Sequence, residues 1–415
     1  MFPYQLEETN ILKNEKIIES FYNDIKRLWL QKNFIIQSDL YKSPIQYSTE
    51  NKLKFNEYEY ERIINKNSLE KYYYERIKGY KKITFFYSSG MSAISNTMYI
   101  IKNLFSQSIK GITDIGYFET ENFFEATKRL NILTVEKDSI NELIDFYFFE
   151  PIQYNFKQIC TDYVDRIEKI KNSETFLFII IDITLCGDMF PFNKLIDRYK
   201  NAPNLVFILV ESLLKLKQQG LELTNAGRAT WHISTENFKE CKAIWKLAKI
   251  ISDTNGTHLS DFNSRVLNNE NFLNSNDYTY TILSNNMEFY NEIKHINNQI
   301  IEEIVYRVSN IDPDVTMPFI FIKLKNSTEE FCRIFLSYIY DGFKKIGLTV
   351  DVRDSFGFRN LSVQYFVDRS SGESIFKIAI GHLKGIKYWI LLDLIKKTDT
   401  YINIENFKKQ FEVHK

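Results

Sequence analysis

The amino-acid sequence predicts an α/β fold built around a mainly parallel sheet. Between residues 83 and 212, short apolar runs alternate with more polar stretches of helical character, and this alternation is typical of right-handed βαβ units. The runs at 175–182 and 205–212 are apolar without a polar face, which suits strands buried on both sides. After about residue 233 the alternation stops, so the parallel sheet is expected to end there.

The elements of this central region follow from the same two patterns. Each predicted strand is rich in β-branched or aromatic residues, and each predicted helix carries apolar residues at helical spacing. The predicted strands are residues 83–89, 115–118, 133–136, 146–150, 175–182 and 205–212. The predicted helices are residues 91–105, 121–130, 139–145, 160–171 and 192–200.

The two ends of the chain have a different character. Helical patterns at 17–31 and 68–79 stand in a segment with little alternation, which indicates an arm that packs on something else. A long helix is predicted at 287–308, and helices 328–346 and 384–396 are interleaved with strands 319–325, 348–355, 361–367 and 376–381. The sequence therefore predicts an N-terminal arm (1–80), a large α/β domain (81–285) and a small α+β domain (286–415).

Composition and charge exclude several classes of function. The chain has 415 residues, 53 of them basic and 53 acidic, and this balance argues against nucleic acid or an anionic membrane as a partner. The cysteines and histidines show no metal-ligand spacing, so no metal site is predicted. The N-terminus lacks the apolar core of a signal peptide, and the longest apolar run, 176–181, cannot span a membrane. A cytoplasmic protein is expected.

Lys215 is the first candidate for chemistry, because it follows the predicted strand 205–212 and stands three residues after Ser212. Parallel sheets place their active sites just beyond the carboxyl ends of the strands. A lysine at that place could form a Schiff base beside a phosphate-binding hydroxyl. The alternative is an exposed lysine at a strand end, which is the commoner environment for this residue type. Lys217, close by, could help to place the phosphate or the substrate, but it is interpreted as an exposed lysine.

Two further strand ends carry candidate residues. Ser89, Gly90 and Met91 join a strand to a helix, and the unpaired amides and dipole of such a junction bind phosphate; the alternative is a plain strand–helix turn. Asp182 ends the most apolar strand, where its carboxylate could hold a protonated ring nitrogen or serve as a helix cap. With Tyr117 as a stacking ring and a nearby lysine amine, these residues make up the set that pyridoxal phosphate requires.

Six segments in chain order carry a resemblance to a known family. They are Tyr60-Glu-Arg62, Ser89-Gly90-Met91, Tyr117-Phe-Glu-Thr120, Glu150-Pro151, Asp182-Ile-Thr184 and Ser212-Leu-Leu-Lys215. Through them, from about residue 58 to 381, the sequence resembles the fold-type I pyridoxal-phosphate enzymes of cysteine and methionine metabolism. This group includes cystathionine γ-synthase, cystathionine β-lyase and methionine γ-lyase, and it has an aspartate-aminotransferase-like fold.

The resemblance implies pyridoxal 5'-phosphate as cofactor and a role for each matching residue. Lys215 is expected to form the Schiff base, Asp182 to hold the ring nitrogen with Thr184 beside it, and Tyr117 to stack on the ring and assist the leaving group. The phosphate is expected to bind at the 89–91 turn and at Ser212. The resemblance also implies that Tyr60 and Arg62 reach the cofactor of a second subunit, so that the active site lies at the interface of a homodimer or homotetramer.

Departures from the family pattern lie mainly where phosphate and substrate bind. Leu214 stands where the family has a phosphate-binding threonine. The arginine that clamps the substrate carboxylate is replaced by Lys377, a point charge instead of a bidentate fork. Ser355 and Arg359 belong to a segment that resembles the substrate-lining loop. Arg359 could replace the lost anchor or bind a distal anion, and the alternative is an exposed arginine in a loop.

The expected function is elimination or replacement at the β or γ carbon of an amino-acid substrate, and a role in specialised metabolism is a further hypothesis. Two alternatives stay open. One is an aminotransferase or carbon–carbon bond-forming enzyme of the same fold, which would use the same cofactor residues. The other is a non-catalytic relative that kept the fold as a scaffold.

Overall fold

The computed structural model describes residues 10–33, 69, 77–105, 108–136, 143–157, 159–171, 175–313, 315–368 and 371–411. Tyr60 and Arg62 lie outside these residues, as does most of the helix predicted at 68–79. Of the helix predicted at 139–145, only the last three residues are described, and they are not helical.

The first sheet contains seven strands among the described residues. They are β1 (Tyr80–Tyr87), β2 (Ile109–Asp114), β3 (Leu133–Glu136), β4 (Phe146–Phe149), β5 (Leu177–Asp182), β6 (Leu205–Ser212) and β7 (Gly227–Ser234). Their order across the sheet is β1-β7-β6-β5-β4-β2-β3. Neighbouring strands are parallel except around β7, which is antiparallel to both β1 and β6. The predicted α/β class with a mainly parallel sheet is therefore confirmed.

Helices accompany this sheet and lead on to a second one. The helices up to this transition are α1 (Ile11–Asn33), α2 (Gly90–Leu104), α3 (Phe118–Arg129), α4 (Tyr163–Ile170), α5 (Phe192–Arg198), α6 (Phe238–Asn255), α7 (Asp261–Val266), α8 (Glu270–Leu273) and α9 (Asn276–Ile293). The second sheet has the order β10-β11-β12-β9-β8. Its strands are β8 (Ile301–Val305), β9 (Ile320–Leu324), β10 (Asp351–Val352), β11 (Ser362–Val367) and β12 (Ser374–Ala379), with helices α10 (Glu329–Lys344), α11 (Ile386–Lys397) and α12 (Ile404–Phe411).

Three sequence-based assignments are wrong. The strand predicted at 115–118 is a loop and the start of α3, because the strand of this region is β2. The helix predicted at 287–308 ends at Ile293, and its last part is the strand β8. The apolar pairs of that part, 300–301 and 304–305, are spaced as on a helix although they belong to a strand. The strand predicted at 348–355 is reduced to β10.

The alternation of side chains along β5 explains how the core and the site are placed. Phe178 and Ile180 point to the face covered by α2, whereas Ile179 and Ile181 point to the face that packs towards the second sheet. The register pairs Phe149 of β4 with Ile181, so β4 and β5 end at the same edge. β6 is paired with β5 up to this edge as well. The residues that follow these strands therefore meet at one place.

Candidate active site

A cavity of about 1020 Å³ lies at this edge, where the parallel strands end and a loop of the second sheet faces them. The structure brings most of the predicted site residues together there. Those that line it are Ser89, Gly90, Met91, Tyr117, Asp182, Thr184, Ser212, Lys215 and Ser355. Arg359 and Lys377 are not among the lining residues that the structure describes.

One end of the cavity is the start of α2. Ser89 caps this helix, with its Oγ accepting the amide of Ser92 at 3.0 Å. The first amides of a helix have no partner inside it, and together with the dipole they favour an anion. Gly90 lets β6 approach, because a Cβ at this position would lie 3.0 Å from the Cβ of Ser212. A Cβ on Gly227 of β7 would overlap the carbonyl oxygen of Ser89, so the cradle requires glycine at position 227, and a side chain at position 90 would make a tight contact.

Asp182 lies at the centre of the cavity with its side chain removed from water. It is 7% exposed, its Oδ1 accepts the amide of Thr184 at 2.9 Å, and Thr184 Oγ1 accepts the amide of Ser212 at 3.0 Å. Burial raises the pKa of Asp182 to about 6, hydrogen bonds from Thr184 oppose this rise, and the charge of Glu211 adds to it. A carboxyl group in such surroundings gains from a cation or a proton next to it. A protonated ring nitrogen would supply both.

The amine of Lys215 faces the second sheet across the cavity. Its Nζ donates a hydrogen bond to the Oγ of Ser355 and lies 5.6 Å from the centre of the Phe356 ring. Burial lowers the pKa of Lys215, against the charges of Glu119, Glu222 and Asp354, which act to raise it. A lowered pKa increases the fraction of neutral amine, which is the nucleophilic form.

Glu150 fixes the backbone around Tyr117. This buried carboxylate follows β4 and accepts the amide of Tyr117 at 3.0 Å through Oε1, and through Oε2 the amides of Gly116 at 3.3 Å and Tyr154 at 2.9 Å. Burial and the charge of Asp182 raise the pKa of Glu150 to about 8, against the three amide hydrogen bonds. Burial and a hydrogen bond to Glu119 raise the pKa of Tyr117. The phenol of Tyr117 is therefore protonated at neutral pH and can donate a hydrogen bond.

Next to the cavity lies a network of four charged side chains, of which three are buried and one, Asp188, is partly exposed. Lys217 is 0% exposed, its Nζ donates to the carboxylate of Asp188, and it lies 4.0 Å from Oε2 of Glu211. Arg228 of β7 pairs with the other oxygen of Glu211. The interpretation of Lys217 as an exposed lysine is therefore wrong: its two acidic partners compensate for its burial. In the sequence, Glu211 follows an apolar run as Asp182 does. This pattern indicates a buried carboxylate at the end of a strand, but Glu211 was not predicted to be one.

The structure places Arg359 and Lys377 against other parts of the protein. Arg359 donates a hydrogen bond from Nη1 to the Tyr22 hydroxyl at 2.6 Å, with its guanidinium carbon 4.0 Å from the centre of that ring. Lys377 is 1% exposed, and its Nζ donates to the hydroxyl of Tyr154 at 3.1 Å and to the carbonyl oxygen of Asp354. Burial lowers the pKa of Lys377 to about 7, against the charge of Asp354.

Within the described ranges, no group of three or more histidine, cysteine, aspartate or glutamate side chains is arranged to hold a metal ion. No helix in the part of the chain that the structure covers is long and apolar enough to cross a membrane.

No protein-family model matches the sequence, and no curated protein matches it significantly. Solved structures do match. Cystathionine γ-lyase from Lactobacillus plantarum has 14% sequence identity and a TM-score of 0.58, over 85% of this chain and 91% of that one. Methionine γ-lyase from Micromonospora echinospora has 11% sequence identity and a TM-score of 0.55, over 77% of this chain and 82% of that one. Cystathionine γ-synthase from Xanthomonas oryzae pv. oryzae has 10% sequence identity and a TM-score of 0.54, over 76% of this chain and 82% of that one. The chain therefore has the fold of these three enzymes, which confirms the predicted fold-type I architecture.

Proposed function

We propose that this protein is a pyridoxal-phosphate-dependent enzyme that catalyses elimination or replacement at the β or γ carbon of an amino acid. The observation that carries the proposal is the meeting of Lys215, the buried carboxylate of Asp182 and the start of α2 in one cavity. These three groups come from different strand ends and match the carbonyl carbon, the ring nitrogen and the phosphate of a single cofactor. The fold shared with two lyases and a synthase supports it as well.

The described residues fit this cofactor. The carboxyl group of Asp182 is 7% exposed, burial raises its pKa, and no cation among the described residues pairs with it; a pyridinium nitrogen would be such a partner. The first amides of α2 and the hydroxyls of Ser89 and Ser212 would hold the phosphate. Leu214 also lines the cavity and offers no hydrogen bond, so the phosphate has one ligand fewer than the family pattern provides.

The chemistry divides between the cofactor and the protein. When bound, pyridoxal phosphate withdraws electrons from the carbon atoms next to the substrate nitrogen. Lys215 Nζ, neutral in part because burial lowers its pKa, removes the proton from the α carbon. Ser355 Oγ accepts a hydrogen bond from Nζ and so orients the amine. Tyr117 Oη, which holds its proton at neutral pH, donates a hydrogen bond to the leaving group.

The proposal extends to the assembly. By the family resemblance, Tyr60 and Arg62 of one subunit contact the cofactor phosphate of its neighbour, so the active site is shared within a homodimer or homotetramer in the cytoplasm. Mixing an Arg62→Ala chain with a Lys215→Ala chain tests this. Each homo-oligomer lacks one component, and only a mixed dimer contains one complete site, so recovery of activity is expected on mixing. No recovery would contradict a shared site.

Cofactor uptake tests the proposed function itself. The purified protein is incubated with pyridoxal phosphate and dialysed, and a yellow absorption band that survives dialysis is expected. Lys215→Ala should lose the band, whereas Lys246→Ala, at an exposed position on α6, should keep it. If the unaltered protein takes up no cofactor, the non-catalytic scaffold alternative holds. Steady release of a 2-oxo acid without an amino acceptor would exclude the aminotransferase alternative.

A further inference from the structure

Lys377, at the position of the family's carboxylate-binding arginine, is already bound within the protein. Its ammonium has three donors, and two of them go to the carbonyl oxygen of Asp354 and the hydroxyl of Tyr154. The side chain is 1% exposed and is not a lining residue of the cavity. The carboxylate of Asp354 acts on it as a counter-charge. A substrate carboxylate would therefore have to displace contacts that Lys377 already makes.

Two negative charges of the cavity lining act on the reacting amine. Glu119 on α3 and Asp354 beside Ser355 are both exposed residues that line the cavity. Both act electrostatically on the amine of Lys215, although they belong to opposite walls. The lining residues that the structure describes include no arginine, and their lysines are Lys215 itself and Lys157, which also lines the groove described next. Glu119 and Asp354 would repel a free carboxylate bound next to the amine of Lys215, and the repulsion is stronger in a partly enclosed site than in water.

A second, independent feature is the space that leads away from the cavity. A groove of about 840 Å³ lies along β8, the outermost strand of the second sheet. It adjoins the cavity, and the two have the following lining residues in common: Phe156, Lys157, Ile159 and Asp368. A group joined to the carboxyl carbon of a substrate would have room to extend into this groove.

We propose that the substrate is an amino acid whose α-carboxyl group is in a neutral linkage, as an ester, amide or thioester, rather than a free carboxylate. A neutral carbonyl carries no charge that Glu119 and Asp354 could repel. It also does not need the ammonium group of Lys377, which already donates hydrogen bonds within the protein. The groove accommodates the group that is bonded to the substrate carbonyl through the ester, amide or thioester. This inference rests on the proposed function, since it concerns the substrate of that same site.

The test compares three ligands that share one side chain: L-methionine, L-methionine methyl ester and L-methioninamide. Each is titrated into the cofactor-loaded protein, and the change in the absorption of the cofactor gives the half-saturating concentration. Concentrations are corrected for the fraction of neutral α-amine, which differs between the acid and its derivatives. The ester and the amide should saturate at about tenfold lower concentration than the free acid, which corresponds to one unfavourable charge contact in a partly buried site.

Variants separate this inference from the proposed function. Asp354→Asn should strengthen the binding of free methionine several-fold and leave that of the ester unchanged. Lys377→Met should leave both within about twofold, since neither ligand uses this amine. Glu125→Gln, at an exposed position of α3 outside the cavity, is the matched control for charge.

The outcomes are distinct. If no cofactor band forms, the proposed function fails, and this inference fails with it. If the band forms and free methionine binds as tightly as its ester, only this inference is wrong. A selective loss of methionine binding in Lys377→Met would equally overturn it, because Lys377 would then be the carboxylate anchor. If Lys377→Met does not fold, Asp354→Asn decides alone, and unchanged binding of free methionine would then count against the inference.

Discussion

The buried carboxyl group of Asp182 makes the stability of the cofactor-free protein depend on pH. Its pKa in the folded protein is raised from 3.8 to about 6, and a shift of this size corresponds to about 3 kcal/mol. The folded protein therefore holds this proton more tightly than the unfolded chain does. Well below pH 4 the group is neutral in both states and costs nothing. Between about pH 4 and pH 6 the unfolded chain gives up this proton while the folded protein keeps it, so the free energy of unfolding falls by up to about 3 kcal/mol and does not fall further above pH 6.

Asp182→Asn removes the charge but keeps an oxygen that can accept the amide of Thr184. The cofactor-free variant should therefore be more stable than the unaltered protein at pH 8, by up to about 3 kcal/mol, and equally stable at pH 3, below both pKa values. Urea denaturation followed by circular dichroism at both pH values measures the difference. Pyridoxal phosphate should then stabilise the unaltered protein more than the variant, because only the former offers a carboxylate to the ring nitrogen. Identical pH dependence of the two proteins would refute the claim that Asp182 is desolvated.

Three further substitutions test other parts of the site. Lys217→Met leaves the buried carboxylate of Glu211 and the partly exposed one of Asp188 without this partner and should lower the free energy of unfolding by about 3–5 kcal/mol; Lys246→Met is the exposed control, and an equal effect of both would contradict the charge network. Gly227→Ala forces a Cβ against the carbonyl of Ser89 and should cost about 1–3 kcal/mol in a thermal or urea melt, so an unchanged melt would show that the cradle tolerates the methyl group. Leu214→Thr restores the hydroxyl of the family pattern and should tighten cofactor binding several-fold by equilibrium dialysis; no change would mean that Leu214 does not face the phosphate.

The fold was predictable from the sequence where a strand consists of an uninterrupted run of apolar residues. β5 and β6 are continuous apolar runs and were assigned nearly to the residue. β7 was missed, although all of its residues are buried, because Arg228 and His232 give it a polar appearance. The arginine is buried only because Glu211 lies opposite it on β6. Such compensation comes from pairing between strands, which a local pattern does not contain.

Site residues were predictable where they stand at the end of a strand. They were not predictable where their contacts come from a segment that is distant in the sequence. Asp182 and Lys215 were identified because the carboxyl ends of parallel strands meet at one edge. The surroundings of Lys377 depend on Tyr154, which is more than two hundred residues away in the chain. Those of Arg359 depend on Tyr22 of α1, which is further away still. Both residues were expected to bind substrate, and their partners became visible only in the folded chain.

The central claim is that Lys215 holds pyridoxal phosphate covalently, and reductive trapping tests it most directly. The cofactor-loaded protein is treated with borohydride, which makes the bond between amine and cofactor permanent, and its peptides are analysed by mass spectrometry. The account predicts one modified peptide, with the mass of the reduced cofactor on Lys215. A modification on Lys217 or another lysine, or no modification at all, would contradict it.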